Sequence, residues 1–200
     1  MSLVSNLFLL FVAASVLVYY IVPHKFQWLV LLCFSYIYYL AGGVRYVGFL
    51  LFSTLVTWLI ALAVEKTEAK GSHKGARNLL VLGLLLNFGM LGVVKYTNFA
   101  IENLNALFHM NLRGMEILLP LGISFYTFQS SGYLLDVYWK RCEAEKNPVK
   151  YALFVSFFPQ ILQGPIGRYS RLAHQLYEPH KFEGKNITRG FERILWGFFK

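Results

Sequence analysis

The stretch FVSFFPQILQGPIGRYSRL, residues 154–172, decides the fold because it is apolar and yet cannot form one straight membrane helix. Pro159 and a following Gly-Pro pair interrupt it, and Gln160 and Gln163 place two amides where hydrocarbon would leave them unsatisfied. A helix that crosses a bilayer needs about 20 predominantly apolar residues. The sequence therefore predicts that 151–166 dips into the protein interior as a broken, re-entrant segment beside a cavity.

The composition around this stretch is that of a membrane protein. Of the 200 residues, 56% are hydrophobic and only 14% are charged, whereas a soluble domain carries about a quarter of charged residues. We predict an all-α fold, a polytopic transmembrane helical bundle that forms a single membrane domain over residues 1–200. The predicted spans are 3–22, 26–41, 46–64, 79–94 and 117–135, and a further apolar helix begins at 191.

The lysines and arginines predict the orientation of the spans. With the N-terminus outside, the inner loops hold nine of them and the outer loops hold three, as the positive-inside rule requires. Six more lie in 167–193, and they stay inside if 151–166 is re-entrant. We therefore expect a multi-pass protein of the cell (inner or plasma) membrane with its N-terminus outside. The net charge of +9 reflects this bias, so bilayer lipid rather than nucleic acid is the expected partner.

Residues 97–113 differ from the spans that precede them. Ile101, Leu104, Phe108 and Leu112 repeat at helical spacing, and polar side chains lie between them. This pattern is typical of an amphipathic helix at the outer membrane interface, and equally of an ordinary packed connector.

The segment LLPLGISFYTFQSSGYLLDVYW, residues 118–139, has small and polar side chains on two opposite faces. Few of its faces suit lipid, so we expect this helix at the centre of a bundle, with Pro120 in its first turn. Gln129 is either a functional side chain or an interhelical hydrogen-bond partner, because a buried amide in a membrane needs partners. Asp136 is expected to be solvated or paired with Lys140.

The other polar residues provide no catalytic site. Gln160 and Gln163 either cap the free backbone of the broken segment or contact substrate. Arg168 and Arg171 either meet a phosphate or a thioester-linked carrier at the inner surface, or only follow the positive-inside bias. None of the five histidines lies in an apolar span, and no metal-binding or nucleophile motif occurs. We predict no catalytic residue, no metal and no bound cofactor in this chain.

Two stretches resemble the membrane-bound O-acyltransferase family: LPLGISFYTFQSSGYLLDVYW (119–139) and NPVKYALFVSFFPQILQGPIGRYSRL (147–172). The branch they resemble is the bacterial one that includes alginate O-acetylation proteins and the D-alanyl transfer protein of teichoic acid synthesis. The resemblance is strong over about 118–200 and looser upstream. It implies a multi-span enzyme with short, tilted and re-entrant helices around a tunnel, of which this chain is expected to be the N-terminal part.

The resemblance also implies the chemistry. An acyl group, expected to be acetyl, passes from a cytoplasmic thioester donor (acyl-CoA or an acyl carrier protein) to a hydroxyl of a cell-surface or exported polysaccharide. A separate periplasmic or extracellular partner is expected to complete the transfer. The family's catalytic histidine lies in a later membrane segment, so the 200-residue chain is expected to be inactive alone. The residues expected to line the tunnel are Tyr126, Gln129, Ser130, Gln160, Gln163 and Arg168.

Two alternatives from other classes stay open. A transporter or channel component would line a permeation path with the re-entrant segment, but it would carry inverted repeats or intramembrane charges, and neither is evident in the sequence. A non-catalytic assembly subunit is compatible with the lack of the catalytic histidine.

Overall fold

The computed structural model describes residues 6–108, 120, 122–161 and 167–199, and these residues form helices without a β-strand, as the predicted all-α class requires. A 3₁₀ turn, His24–Phe26, joins the first two helices. The helices are α1 (Asn6–Ile21), α2 (Gln27–Gly42), α3 (Val44–Ala69), α4 (His73–Phe108), α5 (Ile123–Tyr138), α6 (Pro148–Ser156), α7 (Phe158–Ile161), α8 (Tyr169–Tyr177) and α9 (Gly184–Phe199).

Helices α1 to α3 occupy the first three predicted spans to within a few residues. Among the described residues, Tyr46–Ala69 in α3 and His73–Leu107 in α4 are long and apolar enough to cross a bilayer, and α1 is apolar but shorter. Large apolar side chains such as Leu55 and Leu85 point out of the bundle and are exposed. In water such exposure would be costly, whereas hydrocarbon accommodates it. These features support a membrane location.

Residues 97–108 are helical, as one of the two alternatives for 97–113 requires, and they continue α4 to Phe108 without a break. Two polar side chains of this range are hydrogen-bonded to carbonyls within the helix. The Thr97 hydroxyl donates to the Val93 carbonyl one turn back, and Asn103 Nδ2 donates to the carbonyl four residues back at 2.7 Å. The last five residues of the range lie outside the described part of the chain.

The core of the bundle lies where α3, α4 and α5 pack against one another. Gly83 of α4 allows their close approach, since a Cβ atom there would stand 2.8 Å from Leu134 Cδ1 of α5. A buried polar contact joins α3 and α4 beside it. The Ser53 hydroxyl donates to Asn87 Oδ1 at 2.8 Å, and Asn87 Nδ2 donates to Thr57 Oγ1 at 2.9 Å. Both ends of the buried amide are therefore satisfied.

An ion-pair cluster ties the ends of α3, α4 and α5 together. The buried carboxylate of Glu68 lies 2.9 Å from His73 Nδ1 and 3.3 Å from Lys140 Nζ. Lys140 follows α5 with a left-handed φ of 57°, and its side chain reaches Glu68. The predicted pairing of Lys140 with Asp136 is wrong, because Asp136 Oδ1 instead lies 3.5 Å from Arg141 Nη1.

Two helices begin at other residues than predicted. Pro120 is buried ahead of α5, not in its first turn, and its carbonyl accepts the N–H of Ile123 at 3.2 Å. Residues 117–119 of that predicted span lie outside the description. The helix expected from 191 begins already at Gly184, and it is amphipathic, not uniformly apolar.

Candidate functional site

The predicted break in 151–166 is present as two short helices that meet at Phe157. Helix α6 ends at Ser156, Phe157 adopts ψ 106°, and α7 resumes at Phe158. Proline explains the position of the break: Pro159 has no N–H, so it cannot bond to the carbonyl four residues earlier. Residues 162–166, with Gln163 among them, lie outside the described residues.

Two of the backbone groups that the break frees are paired with side chains of other helices. Gln129 Nε2 of α5 donates to the carbonyl of Phe154 at 3.0 Å, and both atoms are buried. The N–H of Phe158 donates to the Ser35 hydroxyl of α2 at 3.2 Å. We call this arrangement, Phe154 to Phe158 with Gln129 and Ser35, the braced break. Irregular backbone at membrane depth survives where protein satisfies it in this way.

The start of α5 touches the end of α7 through a glycine. A Cβ atom at Gly122 would stand 2.5 Å from the carbonyl oxygen of Ile161, and Gly122 has a φ of 71°. Only glycine meets both demands, the left-handed backbone and the absence of a side chain. The short α7 is therefore fixed from three sides: by Gly122, by Ser35 of α2 and by its covalent link to α6.

Helices α5 and α6 also bury six hydroxyls that make no hydrogen bond to any described residue. The Tyr151 hydroxyl faces Ser130 and Thr57 without ordinary hydrogen-bond geometry to either. An unpaired buried hydroxyl costs roughly 1–3 kcal/mol. Such a group is suited to hydrogen-bond a polar molecule that enters between the helices. The six hydroxyls belong to Tyr126, Thr127, Ser130, Ser131, Tyr151 and Ser156.

A residue that the sequence did not single out, Glu145, organises the loop between α5 and α6. Its carboxylate accepts the Tyr169 hydroxyl at 2.7 Å, and its backbone N–H donates to the Tyr133 hydroxyl at 2.8 Å. Its carbonyl accepts Trp58 Nε1 at 2.7 Å. Glu145 thus joins α3, α5 and α8. The sequence gave no signal for this role, because Glu145 is one of two acids in a basic loop.

Two tyrosines fix α8 on this surface. Besides Tyr169, Tyr177 donates its hydroxyl to the Lys150 carbonyl at 2.7 Å. Burial is the main cause that raises the pKa of both hydroxyls well above the usual value. Both groups therefore remain protonated donors at physiological pH. The exposed side of α8 then presents Arg168 and Arg171 to the surroundings.

The structure describes five of the six predicted site residues, and they fall into three groups. Tyr126, Gln129 and Ser130 are buried inside the bundle. Gln160 is half-buried, and a Cβ atom at Gly167 would stand 2.6 Å from its Nε2, so the two lie side by side although 162–166 separates them in sequence. Arg168 is exposed at the start of α8. Gln163 falls outside the described residues, and a tunnel lined by this set stays a prediction.

Gln129 takes the interhelical role that the sequence left open as one of two alternatives. Its amide braces the break, and Asp136, on the same face of α5, lies at the ion-paired end of the helix. Four histidines are exposed, at 24, 73, 174 and 180, and His109 is outside the described residues. The described residues thus provide a scaffold with a basic surface at α8, and no group of three or more His, Cys, Asp or Glu among them could hold a metal ion.

Comparison with known proteins shows that the chain is similar to bacterial O-acetylases and to a D-alanyltransferase. The chain is 33% identical over 204 aligned positions to the "Probable alginate O-acetylase AlgI" of Azotobacter vinelandii, which covers 98% of this chain. It is 32% identical to the "Peptidoglycan O-acetyltransferase" of Helicobacter pylori over 86% of this chain. It is 26% identical to the "Teichoic acid D-alanyltransferase" of Lacticaseibacillus rhamnosus over 78% of this chain.

The matched region is only part of each relative. The chain spans 40% of the Azotobacter protein, 37% of the Helicobacter protein and 35% of the Lacticaseibacillus protein. No family model matches the chain, and no solved structure matches it. The similarity extends along almost the whole chain and includes both stretches on which the resemblance was based.

Proposed function

We propose that this chain, by homology a member of the membrane-bound O-acyltransferase family, is the scaffold of an enzyme that O-acylates a polysaccharide. The observation that carries the proposal is the similarity to O-acetylases over 98% of the chain. The reaction transfers an acyl group, acetyl in the first instance, from a cytoplasmic thioester to a hydroxyl of a cell-surface or exported polysaccharide. The thioester C–S bond breaks and an ester C–O bond forms, while the hydroxyl proton ends on the released thiol.

In this proposal the chain crosses the membrane several times with its N-terminus outside. The distribution of basic residues supports the orientation, with fifteen Lys and Arg on the inner side and three on the outer side when 151–166 is re-entrant. The braced break supports the re-entrant path, because the freed Phe154 carbonyl and Phe158 N–H are paired inside the protein. The residues on either side of it, Tyr126, Ser130 and Gln160, position and shield the reacting groups.

The general base comes from outside this chain. The chain has five histidines, and the four that the structure describes are exposed on the surface. A base must reach the acceptor hydroxyl within hydrogen-bond distance, and the relatives carry more than half of their length beyond the matched region. We therefore place the base in the part of the enzyme that follows this scaffold, with the acyl thioester as co-substrate and no resident cofactor.

The exposed face of α8 is the proposed docking surface for the donor. Arg168 is the residue just before α8 and Arg171 lies in the first turn of the helix, and both are exposed. Hydrogen bonds from Tyr169 to Glu145 and from Tyr177 to the Lys150 carbonyl hold that helix in place. Guanidinium groups recognise phosphate and carboxylate well, and both CoA and acyl carrier proteins are anionic.

The test is an acyl-transfer assay with the full-length gene product in membranes. Radiolabelled acetyl-CoA and an acyl carrier protein loaded with the same group serve as donors, and exported polysaccharide is the acceptor. We expect label in the polymer that mild alkali releases, as an ester requires. Polymer export that depends on the protein without any transfer of label would overturn the proposal in favour of a transporter or an assembly subunit.

The docking surface is tested in the same assay. Neutralising both arginines, Arg168→Gln with Arg171→Gln, should raise the donor KM by about two- to tenfold, since an exposed ionic contact is worth only a fraction of a kcal/mol to about 1 kcal/mol. The matched control is Arg189→Gln in α9, an exposed arginine outside α8. Equal KM values for the two proteins would contradict the assignment.

A further inference from the structure

A groove of about 940 Å³ lies between α1 and α9, away from the braced break. Both of its walls are apolar, and the side chains that form them are largely exposed: Leu17 by 65% and Phe191 by 63%. Few of the residues that line the groove are polar. Ser15 adds little polarity, since its hydroxyl already donates to the Val12 carbonyl of its own helix at 2.8 Å. Further lining residues are Leu9 and Val16 of α1 and Ile194 and Leu195 of α9.

Helix α9 has a clear division between an apolar and a charged face. Ile187, Phe191, Ile194 and Leu195 recur at i, i+4, i+7 and i+8, and these residues line the groove. The charged residues of the helix, Lys185, Arg189, Glu192 and Arg193, are not among the lining residues. The apolar face of α9 therefore faces α1 across a gap and does not pack into the core.

The segment that leads into α9 is firmly attached to the end of α1 and the start of α2. The buried side chain of Gln27 makes two hydrogen bonds to the backbone of His180, donating to its carbonyl at 3.0 Å and accepting its N–H at 2.9 Å. Tyr19 Oη lies 3.1 Å from His180 Nδ1, and the rings of Tyr20 and Phe182 meet edge to face at 5.2 Å. The groove thus has one fixed end.

That fixed end is the polar and basic end of the groove. Tyr19, Tyr20 and Asn186 line the groove there. Lys25 is two residues from Gln27, Lys181 is next to His180, and both are exposed. The nearby acids have partners of their own: Glu183 keeps its charge and accepts from Asn186 Nδ2 at 3.2 Å, and Glu178 lies 3.1 Å from His174 Nδ1. Tyrosine and lysine at the end of an apolar helix mark the level of lipid headgroups.

We infer that this groove binds one anionic diacyl phospholipid, with its acyl chains along α1 and α9 and its headgroup at Lys25 and Lys181. The groove matches the ~300–1,000 Å³ of sites for small molecules. A polar, basic end and an apolar body are complementary to an anionic lipid.

The test is photolabelling of the full chain in nanodiscs. The probes are a phosphatidylglycerol and a phosphatidylcholine, each with a photoreactive group in one acyl chain. We expect phosphatidylglycerol to label peptides of α1 and α9 and to be preferred over phosphatidylcholine. Lys25→Gln and Lys181→Gln should each lower that preference about fivefold, the attraction of one basic residue to an anionic lipid surface. Arg193→Gln, on the charged face of α9, is the control and should leave the preference unchanged.

Two variants that fill the groove test the position of the acyl chains. Gly190→Phe in α9 adds a ring where a new Cβ meets no neighbour within 4 Å, and Val16→Phe does the same from the α1 wall. Both should abolish labelling of the groove peptides, while Gly197→Phe, outside the lining, should not. Equal labelling by the two lipids, labelling that survives both variants, or cross-links from the groove to another protein segment would each overturn the inference.

Discussion

The braced break at α6–α7 and helix α9 both depart from a simple apolar span, and they do so in opposite ways. At the break, the freed carbonyl of Phe154 and the freed N–H of Phe158 find partners on α5 and α2. In α9 every described side chain is exposed, and the charged and apolar residues lie on different sides of the helix. The two freed groups of the break are paired within the chain, whereas the exposed faces of α9 make their contacts with whatever surrounds the helix.

This difference separates the structural from the adaptable part of the scaffold. A 16-residue helix without packing is marginally stable in water, so α9 derives its stability from its surroundings. The break has a fixed geometry because three separate contacts determine it. We therefore expect substitutions at the break to reduce the free energy of unfolding, and substitutions in α9 to alter binding while stability stays the same.

The largest expected effect comes from removing an aromatic ring in each region. Phe154 is fully buried, and its ring meets that of Tyr169 edge to face at 4.9 Å. Phe154→Ala should lower the free energy of unfolding by about 3–5 kcal/mol because it leaves a cavity. Phe191→Ala in α9 should change it by less than ~0.5 kcal/mol. Unfolding titrations of both variants in mixed micelles measure this, and similar losses would contradict the comparison.

The next effect concerns the contact between α5 and α7. Gly122→Ala should lower the free energy of unfolding by at least ~2 kcal/mol, because the left-handed backbone alone costs roughly 1–2 kcal/mol and the new Cβ strikes a carbonyl oxygen. The matched control is Gly132→Ala within α5, where a Cβ meets nothing within 4 Å. That change should stabilise the helix by about 0.5–1 kcal/mol. A tolerated Gly122→Ala would show that α7 can move away from α5.

The same contrast explains how far the sequence predicted the structure. Pro159 predicted the break correctly, because a proline inside a helix has no N–H and interrupts the hydrogen-bond pattern. The partners of the break could not be predicted, since Ser35 is 123 residues from Phe158 in the chain. Gln129 was predicted to pair between helices as one of two alternatives, but its acceptor follows only from packing.

Other predictions placed helix ends at polar residues that the structure includes in helices. The apolar span was predicted to end at 94, yet α4 continues to Phe108, and the side chains of Thr97 and Asn103 bond to carbonyls of their own helix. The helix from 191 was placed too late, because GKNITRG looks polar until Ile187 is joined to the apolar repeat of Phe191 and Ile194. For the candidate site, burial of Tyr126 and Ser130 cannot be inferred from their types, because hydroxyl side chains lie on both sides of α5.

A smaller effect on stability distinguishes Gln129, whose amide braces the break, from the adjacent Ser130. Gln129→Leu leaves the Phe154 carbonyl buried without a donor and should lower the free energy of unfolding by about 1–3 kcal/mol. Ser130→Ala, one residue on, removes a hydroxyl that has no hydrogen bond to the described residues. It should leave the free energy of unfolding unchanged or raise it by about 1–3 kcal/mol, because an unpaired buried hydroxyl is costly. An equal loss for Ser130→Ala would reveal a partner for its hydroxyl and a second bracing contact.

The smallest effect tests whether the two ends of the break act together. Ser35→Ala removes the acceptor of the Phe158 N–H and should cost about 1 kcal/mol. Ser15→Ala is its control, because the Ser15 hydroxyl bonds only within α1. If α6 and α7 shift as one unit, a first substitution loosens the contact that the second would break. The loss in the double variant Ser35→Ala with Gln129→Leu should then fall short of the sum by at least ~0.5 kcal/mol. Additive losses would instead mean that α2 and α5 hold the two ends of the break independently.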